Sequence, residues 1–490
     1  MAGGAVDTPG ARDGDTAGAG ASVPLTPARP GTTVREVTVT TDAPAALRGE
    51  VLHPHSAGYD EARRIWNAAA DRRPAVIVRA RAPEDVAAAL LFAQRHDLEV
   101  AVRGGGHSIP GHSTCDGGVM IDLSPMRDVV VDPVARTAEA GAGVLWGGMD
   151  AATQAHGLAV TGGEISHTGI AGLTLGGGIG LLKRRFGLTC DNLLGVRMVT
   201  VDGRIVDADD ASEPELMWAL RGGGGNFGVV ARFTYRLHRV GPMIPTATAV
   251  HALDTAADAL VRFARVCAAA PDALTLWAVM LVAPPAPMVP PHLVGRPVLL
   301  VNAAWISEAP PPDLAEAVGA PGAAVHAGDM PYVAIQSLAD PFAPPGRANQ
   351  ARSEWMSGLS AATAADLVAL AGARSSPHGQ IVLHQMGGAV ARVPRDATAF
   401  SRRDAALMML ANAAWTPGED PAPHRAWVQR VWEAVLPDSA GGAYVNHLAD
   451  EGDARVRAAY GAETYARLAR VKARWDPDNV LRRNQNVRPA

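Results

Sequence analysis

The stretch LEVAVRGGGHS, residues 98–108, decides how this chain is read. Residues 98–103 predict a strand, and three glycines end it immediately before His107. Upstream, a short β run is expected over 75–80 and a helix over 83–94. Pro83 opens that helix with Glu84 and Asp85 in its first turn, where a missing N–H costs nothing and acids favour the helix dipole. Strand, helix and strand within about 30 residues form a βαβ unit, so the glycines stand at the C-terminal end of a strand.

Further along, short strands are expected at 119–123, 128–131 and 137–140, then a helix at about 144–156 and a glycine-dense region over 161–187. Residues 196–201 and 204–208 read as a hairpin around Asp202-Gly203. Ser212 is expected to cap a helix over 213–220, and 228–237 reads as a strand. Near 240–245 the texture changes. Longer apolar β runs appear at 274–282, 297–306, 380–393 and 408–415, with helices near 255–270, 361–373 and 423–435 and proline-rich loops at 284–291 and 309–312. This predicts a second domain with an antiparallel sheet and flanking helices. The last 50 residues revert to short glycine- and asparagine-containing motifs and are expected to return to the first domain. The expected division is 1–39 a disordered tail, 40–240 a first domain, 241–440 a second, and 441–490 the return. The tail has too few large apolar side chains to offset ordering entropy.

With 490 residues the chain can build two large domains or up to four smaller ones. A net charge of −5 gives no basic face for nucleic acid. Cys115, Cys190 and Cys267 are scattered and odd in number, which argues against a disulfide framework and for a reducing compartment. No run approaches the roughly 18 apolar residues of a membrane span, and the first 30 residues lack a basic start and apolar core. The expectation is a cytoplasmic protein with no membrane partner.

Glycine-rich loops let backbone N–H groups approach an anion without Cβ obstruction. The run 223–228, GGGNFG, matches GxGxxG, but a helix precedes it and a strand follows. A dinucleotide fingerprint needs the opposite order, so a Rossmann site is rejected. No GxxxxGK[ST] or GxSxG occurs. His107, His112 and Cys115 lack a zinc-ligand spacing, so no metal is expected. The loops at 103–108 and 162–178 could cradle a diphosphate cofactor or be two tight turns without a ligand.

Five motifs in order, VRGGGHSIPGHSTCDGGVMIDLS (102–124), SHTGIAGLTLGGGIGLL (166–182), LRGGGGNFGVV (220–230), YVNHL (444–448) and RWDPDNVLRRNQNV (474–487), resemble the berberine-bridge-enzyme-like branch of the vanillyl-alcohol-oxidase flavoproteins. The resemblance runs from about residue 45, and is nearest to bacterial natural-product tailoring members, including an oxidative rearrangement enzyme of the enterocin pathway. It implies an α+β fold: a two-subdomain PCMH-type FAD-binding domain plus a substrate domain with an antiparallel sheet flanked by helices. It implies FAD joined to His107 by an 8α-histidyl bond. Arg103, Gly104, Gly105, Gly106 and Ser108 would line the pyrophosphate, and Gly162, Gly163, Thr168, Gly169 and Gly172 would form a second cradle. Val230 would meet the adenine end, and Asn446, Asn484 and Asn486 would lie near the flavin. Many relatives carry a second link through a cysteine. Its place here is Ile165, so a single covalent bond is expected.

The family's YxNY motif, whose second tyrosine acts as base, reads Tyr444-Val445-Asn446-His447 here. His447 can take a proton at neutral pH or serve a structural hydrogen bond. In 380–386, period two puts Gln380, Val382 and His384 on one face, making His384 a second candidate base. The enterocin-type relative carries an acid where Val382 stands, so its rearrangement does not transfer. Trp277, Trp305, Tyr332 and Trp415 are candidate pocket walls. The expected activity is hydride removal from a hydroxyl-bearing or activated carbon of a secondary metabolite, with molecular oxygen reoxidising FAD and arriving beside Thr168. An oxygenating or cyclising flavoenzyme acting on a polyketide-like chain is one alternative, and a flavin-binding protein without redox turnover is another.

Overall fold

The glycine-flanked strand lies at the edge of a four-stranded sheet in a computed structural model that describes residues 48–490 together with Met1 and Gly3. The expected tail, 1–39, lies outside the described residues apart from those two. In that sheet Val76–Arg79, Val119–Asp122 and Val100–Arg103 run parallel in spatial order, and Glu50–Leu52 pairs antiparallel at the other edge. The helix Pro83–Arg95 makes the crossover. Its buried face, Val86, Ala89, Leu90, Phe92 and Ala93, packs toward both this sheet and a second one.

The second sheet is antiparallel, in the order Val129–Asp132, Thr137–Gly141, Val229–Arg236, Leu193–Val199 and Ile205–Asp209. Ser212 does not cap the helix Pro214–Leu220. Its hydroxyl is held by Asp209 in the preceding turn, and Glu213 takes the cap position. As expected from its order, 223–228 is a turn between that helix and the strand Val229–Arg236.

The third sheet has seven antiparallel strands: Ala324–Pro331, Met243–Ala252, Pro297–Trp305, Leu274–Val282, Gln380–Gln385, Leu407–Trp415 and Ala348–Met356. Period two divides its faces. Leu276, Ala278, Met280, Ile381 and Leu383 join a core with the helices Leu253–Ala269, Ala361–Gly372 and Ala422–Val435. Leu260 and Phe263 are fully buried there, each contributing about 1.5–3 kcal/mol. Trp277, Val279, Gln380, Val382 and His384 face the other way, into a cavity. The expected β run over 380–393 stops at Gln385. Gly387 and Gly388 adopt positive φ, and the helix Ala389–Arg392 follows.

The C-terminal helix Ala462–Trp475 sends Tyr465, Leu468, Val471 and Trp475 into the core shared by the first two sheets. Both lysines of the chain are fully buried. Lys472 donates to Asp476 Oδ2 (2.6 Å) and to the carbonyls of Asn226 (2.8 Å) and Leu481 (3.0 Å), which ties the C-terminal segment to the 223–228 turn. No helix among the described residues is long and apolar enough to cross a membrane.

Candidate cofactor and active site

A cavity of about 820 Å³ lies between the glycine loops and the open face of the seven-stranded sheet. That is the size of a cofactor or small-molecule site, about 300–1,000 Å³. The two loops touch. A Cβ on Gly105 would overlap the backbone nitrogen of Gly169, and one on Gly169 would overlap that of Gly105. Gly172 and Gly225 also line the cavity, but a Cβ there would meet no protein atom within 4 Å. Any side chain at either position would fill space that a cofactor needs. Apolar walls from Val100, Val102, Leu123, Val229, Val230 and Leu481 continue this end. Buried Asn484 Oδ1 has no protein partner and borders the cavity. Glycine backbone, apolar wall and an unpaired amide oxygen together fit FAD.

His107 follows Gly106, whose φ of +75° turns the chain so that the imidazole faces the cavity. Trp66 stacks on its ring at 4.8 Å and 15°, and the Trp66 indole is itself held by the Ala343 carbonyl (2.7 Å). His107 Nε2 lies 2.7 Å from His167 Nδ1, while Nδ1 has only a long contact, 3.4 Å, to Thr168 Oγ1. Burial, with His167 alongside, lowers the His107 pKa to about 3, so the ring is neutral. Ile165 borders the cavity with no sulfur to offer. Cys115 and Cys190 are buried, and neither lines it.

Most of the expected cofactor residues line the cavity: Gly104, Gly105, Gly106, Ser108, Gly163, Thr168, Gly169, Gly172, Val230, Asn446 and Asn484. Three do not. The Arg103 guanidinium is turned away, committed to Asp122 (3.0 and 3.2 Å) and the Ala62 and Arg64 carbonyls. Gly162 gives the Trp146 ring room to pack, and its own carbonyl is packed against Gly180. Asn486 stands outside the wall. Among the four aromatics expected as pocket walls, Trp277 alone lines the cavity. Trp305, Tyr332 and Trp415 are buried in cores instead.

At the sheet end, His384 and Trp277 are cross-strand partners. His384 Nδ1 stands 3.4 Å from Glu164 Oε1, too loosely aligned for a full hydrogen bond. The Glu164 side chain is 29% exposed, toward the cavity it lines. Burial raises its pKa, but His384, Lys183 and His447 outweigh that and hold it at about 2. His447 is half-buried, with its Nδ1 atom buried and unpartnered, and desolvation lowers its pKa to about 3. Tyr444, the first residue of the Tyr444–His447 motif, is engaged structurally. Its hydroxyl accepts from Gly178 N (2.9 Å) and Asn446 Nδ2 (2.8 Å), and burial pushes its pKa up to about 12. It braces the 176–178 turn.

Three site residues carry little sequence signal. Trp66 lies upstream of every motif, and His167 reads as part of a glycine loop. Glu164 offers one hint, as the lone acid of residues 161–187. Ser166 fixes their loop through its N–H (2.7 Å) and hydroxyl to Asp340. Among the described residues, no three His, Cys, Asp or Glu side chains gather as a metal site would need.

Fold and site together define an FAD-dependent oxidoreductase. The FAD binding domain family matches residues 74–209, and the family described as berberine and berberine like matches 443–488. An uncharacterized FAD-linked oxidoreductase of Bacillus subtilis is 30% identical over 465 residues, covering 91% of this chain and 99% of its own. An FAD-linked oxidoreductase of Dictyostelium discoideum is 29% identical over 450 residues, covering 91% and 95%. The crystal structure of 6-hydroxy-D-nicotine oxidase from Arthrobacter nicotinovorans superposes with a TM-score of 0.78 at 26% identity, covering 92% of this chain and all of that one. The chain belongs to the berberine-bridge-enzyme-like family of FAD-linked oxidoreductases.

Proposed function

We propose that this enzyme is an oxidase that removes a hydride from a hydroxyl-bearing or activated carbon of a small natural-product-like molecule, with FAD held by one covalent bond to His107. Bound FAD supplies a two-electron acceptor that dioxygen restores. The first domain, described from 48 to 240, and the return 441–490 hold the cofactor, and 241–440 supply the substrate wall. The observation that carries this reading is a single cavity lined by the glycine loops and His107 together with Glu164, His384 and His447.

Hydride loss from an alcohol also releases a proton, which needs a base within hydrogen-bond reach. His384 is the base. The Glu164 carboxylate beside Nδ1 favours the proton there, which leaves the Nε2 lone pair for the substrate, and its charge stabilises the imidazolium that forms. His447 stays neutral and serves as a hydrogen-bonding group, because its environment opposes protonation. Tyr444 and Asn446 position the 176–178 turn against the cofactor. Arg103 contributes backbone near the diphosphate, with its guanidinium bracing the sheet.

Intact mass and visible absorption of the purified protein test the central claim. The expected result is one FAD increment that survives denaturation and disappears in His107→Ala. A colourless wild-type protein overturns it.

A further inference from the structure

We propose that His167 is the proton acceptor that prepares His107 for covalent attachment through Nδ1. This rests on the reading of His107 as the flavin-bearing residue. A neutral imidazole has one N–H and one lone pair, and the partner of each nitrogen decides which is which. If Nε2 donates its proton to His167 Nδ1, the Nδ1 lone pair is free. The opposite arrangement, with His167 donating, leaves the proton on Nδ1 and blocks attack from that atom. The 2.7 Å contact is the short one at this ring, and no other polar atom among the described residues bonds Nε2.

Both rings are held. Trp66 stacks on His107, and the loop carrying His167 is fixed by Asp340 at Ser166 and by the Thr168 carbonyl accepting from Trp146 N (2.9 Å). Both residues are half-buried, but His107 lines the cavity and His167 does not, so a proton handed to His167 leaves the cofactor side of the ring. Attachment forms one C–N bond between Nδ1 and the flavin ring-methyl carbon. That carbon loses one proton, and His107 loses the other from Nε2 to His167. The two electrons left over pass to dioxygen, which with the two protons leaves as hydrogen peroxide. His167 acts through His107 and is a positioning residue.

The test compares FAD content of folded protein, from its visible absorption, with FAD mass retained after denaturation. His167→Leu is expected to bind FAD when folded but to retain at least tenfold less of it after denaturation. His167→Asp, which restores a proton acceptor, is expected to recover attachment, as is adding imidazole to His167→Leu during expression. His167→Gln accepts a hydrogen bond but cannot take up the proton, and is expected to stay near the leucine level. Wild-type retention in His167→Leu or His167→Gln overturns the proposal. So does loss of FAD from the folded state in both variants, which would make His167 a binding residue instead. If wild-type protein itself keeps no FAD after denaturation, the covalent reading of His107 fails, a distinct result.

Discussion

Glu164 and His384 face each other across 3.4 Å at the sheet end of the cavity, one from a glycine-dense loop and the other from the central strand Gln380–Gln385. A carboxylate behind an imidazole fixes its tautomer and stabilises its protonated form. His384→Ala is expected to slow anaerobic bleaching of the flavin by an oxidisable substrate about 10²–10⁴-fold, the usual worth of a general base. Glu164→Gln keeps the side-chain volume and is expected to lose less, about tenfold or more. Unchanged FAD content in both variants would tie the loss to chemistry. Wild-type bleaching rates in His384→Ala would sink the assignment.

The glycines separate into two kinds. Gly172→Val would project its side chain into the cavity without touching protein, so the variant is expected to fold with a near-native melting temperature and little bound FAD. Gly105→Ala would press on the Gly169 backbone, and overpacking of this kind costs about 1–3 kcal/mol. It is expected to lower the melting temperature as well. Comparing flavin absorbance with thermal unfolding for the pair distinguishes cradle from packing. Full FAD loading of Gly172→Val would place the cofactor elsewhere.

Tyr444→Phe distinguishes a brace from a base. Removing the hydroxyl strands the buried Gly178 N–H, at a cost of about 1–3 kcal/mol. The reductive step, measured by stopped-flow bleaching, is expected to stay within about tenfold of wild type, because the proton is taken elsewhere. A loss of general-base size, 10²-fold or more, would give the base role to Tyr444 instead.

The strand before Gly104, the crossover helix and the divided faces of the 380–385 strand were legible because each follows a local period. Three strands of the large sheet were not. Ala324–Pro331 reads AVHAGDMP, with few β-branched or aromatic residues, and pairing with Met243–Ala252 is what makes it a strand. Ala348–Met356 mixes polar and apolar residues and is fixed by its ladder to Leu407–Trp415. The site divides the same way. His107 and the cradle glycines sit in local motifs, whereas Glu164 gains meaning only when the fold brings His384 to it from 220 positions away.

His447 gives the site a pH signature independent of substrate. Its folded pKa is depressed to about 3 from an ordinary 6.5, chiefly by burial. An unfolded chain therefore takes up a proton below 6.5 that the folded chain refuses until about 3. The stability contributed by neutral His447 is fully present above pH 6.5 and is lost as pH falls toward 3. The slope is about 1.4 kcal/mol per pH unit. Between pH 6.5 and 5 that amounts to about 2 kcal/mol. His447→Gln, which cannot titrate, is expected to lose about 2 kcal/mol less than wild type over this interval in urea unfolding at fixed ionic strength. Parallel losses in the two proteins would show that His447 already charges in the folded state, and it would then rejoin His384 as a candidate base.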